Sequence, residues 1–222
     1  MKTLILDTGP IISLVTDNLL WILEELKKKF NVDFIIGKTV RTELVENALK
    51  TKRFMFEGMF IDSYLKKKVI KLITTDLNHK LEFYANNIFL AEGQPLQLLH
   101  KGEIESLLLC KKLNADALVI DERTTRLLIE DYEKLRQLLE KKLECKIKIN
   151  KENLDLFLEE TKNIKIIRSA ELLFIAYENG LFDNYRNSFN KKDLLNGVLW
   201  GTKLRGCSIS EEEIKTIVEK FS

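Results

Sequence analysis

Apolar residues follow two patterns along the chain, and these patterns alternate. Short, nearly continuous apolar runs at 1–6, 34–36, 69–73, 117–120 and 164–167 predict buried strands. Stripes at helical spacing predict amphipathic helices between them, such as Leu19, Ile22, Leu23, Leu26 and Phe30, and later Leu77, Leu81, Tyr84 and Ile88. Strands that alternate with helices are typical of an α/β fold with a mainly parallel sheet.

The second half of the chain departs from simple alternation. Residues 128–163 carry their own helical stripe and an alternating strand, CKIKIN, before the fifth strand. We interpret this segment as a folded, largely helical insertion. Residues 169–222 are predicted to form C-terminal helices, the last of which is opened by Ser210, with Glu213 at capping-box spacing.

An aromatic-rich segment precedes the third predicted strand and contains Phe54, Phe56, Phe60 and Tyr64. Aromatic side chains at these spacings pack in a core more often than they form a platform for stacked bases. The sequence therefore favours burial of these rings.

Composition limits the functional classes. The 222 residues, 45% of them hydrophobic, fit a single domain over 1–222. A net charge of +2 excludes a strongly basic binding mode, so any phosphate affinity must be local. Three widely spaced cysteines indicate reduced thiols in a cytoplasmic protein. We expect no membrane segment, because Asp7 interrupts the apolar start and no later run approaches a span of roughly 18 apolar residues.

Acidic residues stand where predicted strands end and helices begin. Asp7 ends the first strand, and Thr8 or Gly9 can cap a helix that has Pro10 at its first position. A carboxylate there is typical of α/β functional sites. Glu43 lies beside the buried stripe of a helix that we expect Thr39 to cap.

The stretch 102–123 predicts a helix, a tight turn and a buried strand. Packed antiparallel, this pair brings Glu103 and Asp121 toward one cavity, because a helix rises about 1.5 Å and a strand about 3.3 Å per residue. A structural explanation stays open for both acids. Glu103 can complement the helix dipole, and Asp121 can cap the next helix.

Taken together, four motifs resemble the PIN-domain nuclease family: the strand ending at Asp7, VRTEL with Glu43, GEIES with Glu103, and ALVIDER with Asp121. The Gly-Glu-x-Glu form of the third motif is similar to a prokaryotic subgroup that includes toxin-type PIN ribonucleases. The resemblance covers about 1–127 and 164–222, including NIKIIRSAELLFIAYENGLF and GCSISEEEI. It implies a three-layer PIN-like fold whose central sheet of about five strands is flanked by helices.

The resemblance also implies that Asp7, Glu43, Glu103 and Asp121 are catalytic and bind Mg²⁺ or Mn²⁺. Converging carboxylates repel one another, and a hard cation relieves that repulsion. Glu105 is an alternative to Glu103, and Glu122 could replace or assist Asp121. The interval from 103 to 121 matches the family register, which favours the first pair. The residues expected beside the ligands are Thr8, Glu105, Glu122, Arg123 and Ser169.

The implied activity is metal-dependent endoribonuclease cleavage of RNA. An antitoxin-like protein partner and a homodimer are further implications, and the sequence leaves a toxin and a housekeeping nuclease equally open. The rival hypothesis is a non-catalytic PIN-like module that binds protein or RNA and uses the acids as caps. The two histidines, His79 and His100, give little basis for a histidine mechanism.

Overall fold

The structure, a computed structural model, describes residues 2–76, 79–186 and 189–221. Met1 and Leu77, which the sequence analysis placed in the first strand and in a helical stripe, lie outside these residues. Within the described ranges, no helix is both long and apolar enough to cross a membrane.

The strands form two sheets. In chain order they are β1 Lys2–Leu6, β2 Val32–Ile36, β3 Ile70–Leu72, β4 Phe89–Ala91, β5 Gln94–Pro95, β6 Ala117–Val119, β7 Ile147–Ile149 and β8 Ile166–Ile167. The main sheet has the order β3-β2-β1-β6-β8, and every neighbouring pair in it is parallel. A small antiparallel sheet, β5-β4-β7, stands apart from it.

Helices separate most of the strands. They are α1 Thr8–Thr16, α2 Trp21–Phe30, α3 Lys38–Arg41, α4 Met55–Lys66, α5 His79–Asn86, α6 Lys101–Leu113, α7 Arg123–Glu130, α8 Tyr132–Leu143, α9 Lys151–Thr161, α10 Ser169–Glu178, α11 Asp183–Arg186, α12 Lys191–Leu204 and α13 Glu211–Phe221. A π-helical segment, Thr42–Asn47, and a 3-10 turn, Ala48–Lys50, continue α3.

Alternate residues of the central strands face opposite sides of the sheet. Leu6 and Ile36 belong to a core with α1, α2, α4, α10, α12 and α13, whereas Ile5 and Ile35 belong to a second core with α5 to α9. The central strands β1 and β2 therefore bury side chains on both faces, as their continuous apolar runs predicted. The predicted α/β fold, with a central parallel sheet of five strands between layers of helices, is confirmed.

The segment 128–163 contains the end of α7, then α8, β7 and α9, so it is folded and largely helical, although the predicted stripe is divided at Asp131. Its strand β7 pairs antiparallel with β4, which was not predicted because residues 89–91 continue the apolar stripe of the predicted helix that ends at Ile88. The second core holds Leu135, Leu154 and Phe157 from this segment. That it is an insertion into the family fold stays a prediction.

The aromatic segment before β3 is mostly exposed, so its predicted burial is wrong for three of the four rings. Tyr64 is buried, but Phe54 is 48%, Phe56 is 76% and Phe60 is 36% exposed. The helical period of α4 explains this result. Only one side of the helix, with Gly58, Ile61 and Tyr64, reaches the core.

Two predicted caps are also different. Asp7, in extended conformation, occupies the N-cap of α1, so neither Thr8 nor Gly9 does, and Pro10 is the third helical residue. Gly37, not Thr39, precedes α3. By contrast, the capping box of α13 is confirmed, since Glu213 accepts from the Ser210 N–H at 2.7 Å and Ser210 Oγ accepts from the Glu213 N–H at 3.0 Å.

The start of α3 is capped by a distant side chain. Glu105 of α6 is buried and accepts from the backbone N–H groups of Lys38 at 3.0 Å and Thr39 at 2.6 Å. Gly37 makes room for this carboxylate, because a Cβ on Gly37 would lie only 2.4 Å from Glu105 Oε2. The contact joins the end of β2 to the first turn of α6.

We predict that Gly37→Ala lowers the free energy of unfolding by about 1 to 3 kcal/mol, because the methyl group displaces a buried carboxylate from two backbone donors. Urea unfolding of both proteins measures the change. The control is Gly197→Ala in α12, where an added Cβ meets nothing within 4 Å and should be neutral or stabilising. Equal stability of Gly37→Ala and the wild-type chain would contradict the role given to Glu105.

Candidate active site

The carboxyl ends of the parallel strands meet at one edge of the main sheet. Asp7 follows β1, Gly37 follows β2, Asp121 lies two residues after β6, and Ser169 lies two residues after β8. Each of these positions leads into a helix. Ligand sites of open α/β sheets form at this edge.

Of the four predicted acids, Asp7 is the second most buried, after Asp121. It is 6% exposed, and the Ser106 hydroxyl donates to its Oδ1 at 3.5 Å. The pKa of Asp7 is raised to about 7, first by burial and then by the negative charges of Glu103 and Glu43, while hydrogen bonds from the backbone N–H groups of Thr8 and Gly9 oppose the rise. A carboxyl in this position resists ionisation unless a cation is close.

Glu43 approaches Asp7 from the π-helical segment. The Thr8 hydroxyl donates to Glu43 Oε2 at 2.6 Å. A Cβ built on Gly102 would lie 3.6 Å from Glu43 Oε1 and 3.9 Å from Asp7 Oδ1, so these two carboxylates flank the first turn of α6. The wider backbone turn of a π-helix shifts side-chain direction relative to an α-helix, and such segments are frequent at functional sites.

Glu103 has two roles in the structure. Its Oε2 accepts from the backbone N–H of His100 at 2.9 Å, which completes a capping box at the start of α6. The same carboxylate is the neighbour whose charge most raises the pKa of Asp7. The hydrogen bond to His100 therefore supports the structural explanation of Glu103, and its charge interaction with Asp7 supports the functional one.

Asp121 is 3% exposed and is held by hydroxyl and backbone donors. Ser169 donates to it from its backbone N–H at 2.8 Å and from its hydroxyl at 2.8 and 2.9 Å, and the Ser13 hydroxyl donates at 3.3 Å. A Cβ on Gly9 would lie 3.5 Å from Asp121 Cβ. Asp121 thus packs beside the first turn of α1, with its carboxylate turned toward α10.

The two alternative acids cap helices. Glu105 bonds to the start of α3, as described above, and Glu122 accepts from the backbone N–H of Thr125 at 2.7 Å at the start of α7. Arg123 is the exposed first residue of α7. The contacts of Glu105 and Glu122 are those of structural caps, whereas the charge of Glu103, which also caps a helix, acts on Asp7.

The acids do not converge on a single point. Asp7, Glu43 and Glu103 interact electrostatically, whereas Asp121 is engaged by Ser169 and Ser13. Among the residues that the structure describes, no three His, Cys, Asp or Glu side chains form a group able to hold a metal ion. The four predicted acids nevertheless offer oxygen ligands, which are the kind that Mg²⁺ and Mn²⁺ prefer.

Comparison with known proteins identifies the family. A family model described as PIN domain matches residues 3–133, more than half of the chain and a range that contains all four acids. The chain belongs to the PIN-domain family. A crystal structure of VapBC2 from Rickettsia felis, bound to a DNA fragment from their promoter, is similar over 75% of this chain and 98% of that chain, with 15% identity and a TM-score of 0.40. A comparison with curated proteins finds no match.

Two serines of this PIN domain, Ser106 and Ser13, were not singled out from the sequence. Ser106 is fully buried next to Asp7, and Ser13 is buried next to Asp121. A weak signal existed in each case, since a serine on the apolar side of a helix needs a buried partner. Their partners became visible only when α1 and α6 packed on the sheet.

We predict that Asp7→Asn stabilises the PIN domain in chelator, and that the gain depends on pH. Below about pH 4 the wild-type carboxyl is protonated in both states, so the two proteins should be alike. As pH rises to about 7, only the unfolded chain loses its proton readily, and wild-type stability falls. Above pH 7 the difference should level off, at about 1 to 4 kcal/mol.

Urea unfolding at several pH values, with chelator present, measures this difference. The matched control is Asp131→Asn, which alters a cap of α8 that asparagine can replace, and which should change stability little at any pH. An Asp7→Asn chain that is less stable than wild type at pH 8 would show that Asp7 is an ordinary helix cap.

Proposed function

We propose that this PIN-domain protein is a metal-dependent endoribonuclease that hydrolyses RNA phosphodiester bonds with Asp7, Glu43, Glu103 and Asp121. One observation carries the proposal. Asp7 is buried at the carboxyl edge of the sheet beside two further acids, and its pKa lies near 7. An arrangement that costs stability without a cation is expected where a cation binds in function.

The residues fit Mg²⁺ or Mn²⁺ in chemistry and charge. Asp7, Glu43 and Glu103 would hold the ion around the first turn of α6, with Asp121 on the neighbouring side of α1. When bound, a divalent cation would offset the carboxylate charges, activate water and stabilise the charge that develops on the phosphate.

The hydroxyl groups at the site position the acids. Ser169 and Ser13 donate to Asp121 and so fix the plane of its carboxylate. Thr8 donates to Glu43 Oε2, and Glu43 Oε1 lies on the side of Gly102. These donors orient oxygen ligands before any ion or substrate arrives, which is how neighbouring groups support a metal site.

The proposal also covers the subgroup, the domain organisation, the location and the partners of the chain. We assign the chain to the prokaryotic PIN subgroup with the Gly-Glu-x-Glu third motif, on residues 102–105. We also propose a single domain over 1–222 with an insertion at 128–163, a cytoplasmic location, an antitoxin-like protein partner and a homodimer. These rest on the sequence resemblance and on the composition of the chain.

A non-catalytic PIN-like module that binds protein or RNA is the second candidate. The observation that favours it is the use of acids as caps, because Glu103, Glu105 and Glu122 each accept from backbone N–H groups near the start of a helix. In such a protein Asp7 and Asp121 would serve packing alone. Metal binding and cleavage separate the two candidates.

We predict that the purified chain cuts single-stranded RNA in Mg²⁺ or Mn²⁺ and that chelator stops it. Asp7→Asn should lower the rate on the order of 100-fold or more, since several kcal/mol of transition-state stabilisation depend on the metal. The control Asp131→Asn should cut normally. Gel analysis should show 5′-phosphate and 3′-hydroxyl ends, and 2′,3′-cyclic phosphate products would exclude attack by water.

Calorimetric titration with Mn²⁺ tests the metal site without any substrate. We predict a saturable site in the wild-type and Asp131→Asn chains, and strongly weakened binding in Asp7→Asn. In thermal unfolding, Mn²⁺ should raise the Tm of the wild-type chain more than that of Asp7→Asn, through binding linkage. No heat of binding in any of the three chains would favour the non-catalytic module.

A further inference from the structure

An exposed aromatic and basic surface adjoins the acidic edge. We define it as the α4 surface, formed by Lys50, Lys52, Arg53, Phe54 and Phe56, all of which are exposed. Phe54 is 48% and Phe56 76% exposed, and the Arg53 guanidinium lies 5.0 Å from the centroid of the Phe54 ring. Large exposed rings at the start of a helix contribute little to the core. Neighbouring exposed apolar side chains of this kind are typical of a site for a ligand or partner.

A cavity of about 360 Å³ connects this surface with the acids. Phe54 and Thr51 line one side, Ile12 of α1 another, and Thr8 and Glu43 the side toward the candidate active site. The lining is apolar with a few polar groups at its margin, which is the usual composition of a pocket for a flat organic ligand. A group in this cavity would contact Thr8 and Glu43, which are hydrogen-bonded to each other beside Asp7.

We propose that the α4 surface and this cavity bind single-stranded RNA next to the cleaved phosphate, with an unstacked base in the cavity against Phe54 and phosphates along Lys50, Lys52 and Arg53. This combination of aromatic faces and local positive charge is what single-stranded nucleic acid requires. A duplex keeps its bases stacked and cannot insert one. The inference rests on the proposed function for the place of the cut, but binding can be measured without cleavage.

Charge decides between RNA and a protein partner on this surface. Three cations within residues 50–53 complement phosphates, and no acidic residue interrupts them. The core of a protein interface is enriched in aromatic residues but depleted in lysine. The neighbouring lysines therefore favour a strand of RNA over an apolar protein segment.

The test measures fluorescence anisotropy of a labelled single-stranded RNA of about sixteen nucleotides, long enough to span a site of about 4 to 16 nucleotides. Chelator or Ca²⁺ replaces Mg²⁺ to prevent cleavage. Phe54→Ala should weaken binding roughly tenfold, which is the scale of one lost base stack, and Phe54→Tyr should retain it. The control is Phe83→Ala, on α5 at the opposite face of the sheet and 57% exposed, which should bind like wild type.

Salt dependence tests the phosphate contacts separately. The Lys52→Ala, Arg53→Ala double variant should reduce the slope of log affinity against log salt by about 1.4, because each of the two single-strand phosphate contacts contributes roughly 0.7. The control double variant Lys141→Ala, Lys142→Ala, at the exposed end of α8, should leave the slope unchanged. The same RNA in a duplex should bind at least tenfold more weakly than as a single strand, since its bases stay stacked.

The results also separate this inference from the proposed function. RNA binding that neither the Phe54 nor the Lys52 and Arg53 variants alter would overturn the inference, even if Asp7→Asn abolishes cleavage. Absence of RNA binding in both chelator and Ca²⁺ would overturn it as well. If Phe54→Ala instead converts a dimer into a monomer by light scattering and leaves RNA affinity unchanged, the surface is a protein interface. Binding that depends on Phe54 without cleavage supports the surface and counts against the nuclease.

Discussion

The contact between Glu105 and the start of α3 determines how the acidic edge is assembled. A buried carboxylate that accepts two backbone N–H groups fixes α6 against the end of β2, and Gly37 is required because any larger residue would occupy the place of the carboxylate. This contact sets the position of the first turn of α6, and therefore of Gly102 and Glu103, next to Asp7. It also fixes the beginning of the helical segment that carries Glu43.

Around that framework, similar side chains serve different purposes because their donors differ. Asp121 accepts from the backbone N–H and the hydroxyl of Ser169 and from the hydroxyl of Ser13. Asp7 is buried as deeply but lies beside Glu103 and Glu43, so its ionised form is disfavoured. The surroundings of these two acids therefore differ, although each follows a strand of the same sheet.

The C-terminal helices stabilise the acidic edge of the sheet through Arg168. Arg168, buried between β8 and α10, donates to Glu171 and to Glu213 of α13 and to the backbone oxygen of Ser208. Burial alone would raise the pKa of Glu213, but the hydrogen bonds from Arg168 and Ser210 lower it to about 2. Since Ser169 follows Arg168 directly, this ionic network also positions the residue that holds Asp121.

The sequence by itself determined the α/β class, the five parallel strands and most helices, because continuous apolar runs and helical stripes reflect burial that is local in the chain. It also placed the four acids at strand and helix ends, which follow from the same local pattern. Only the tertiary structure showed the contacts of the alternative acids, since these depend on which distant N–H or hydroxyl group each one meets. The exposure of Phe54 and Phe56 was likewise decided by packing. The helical period shows that one side of α4 is apolar enough to be buried. It does not show that the core has room for that side alone.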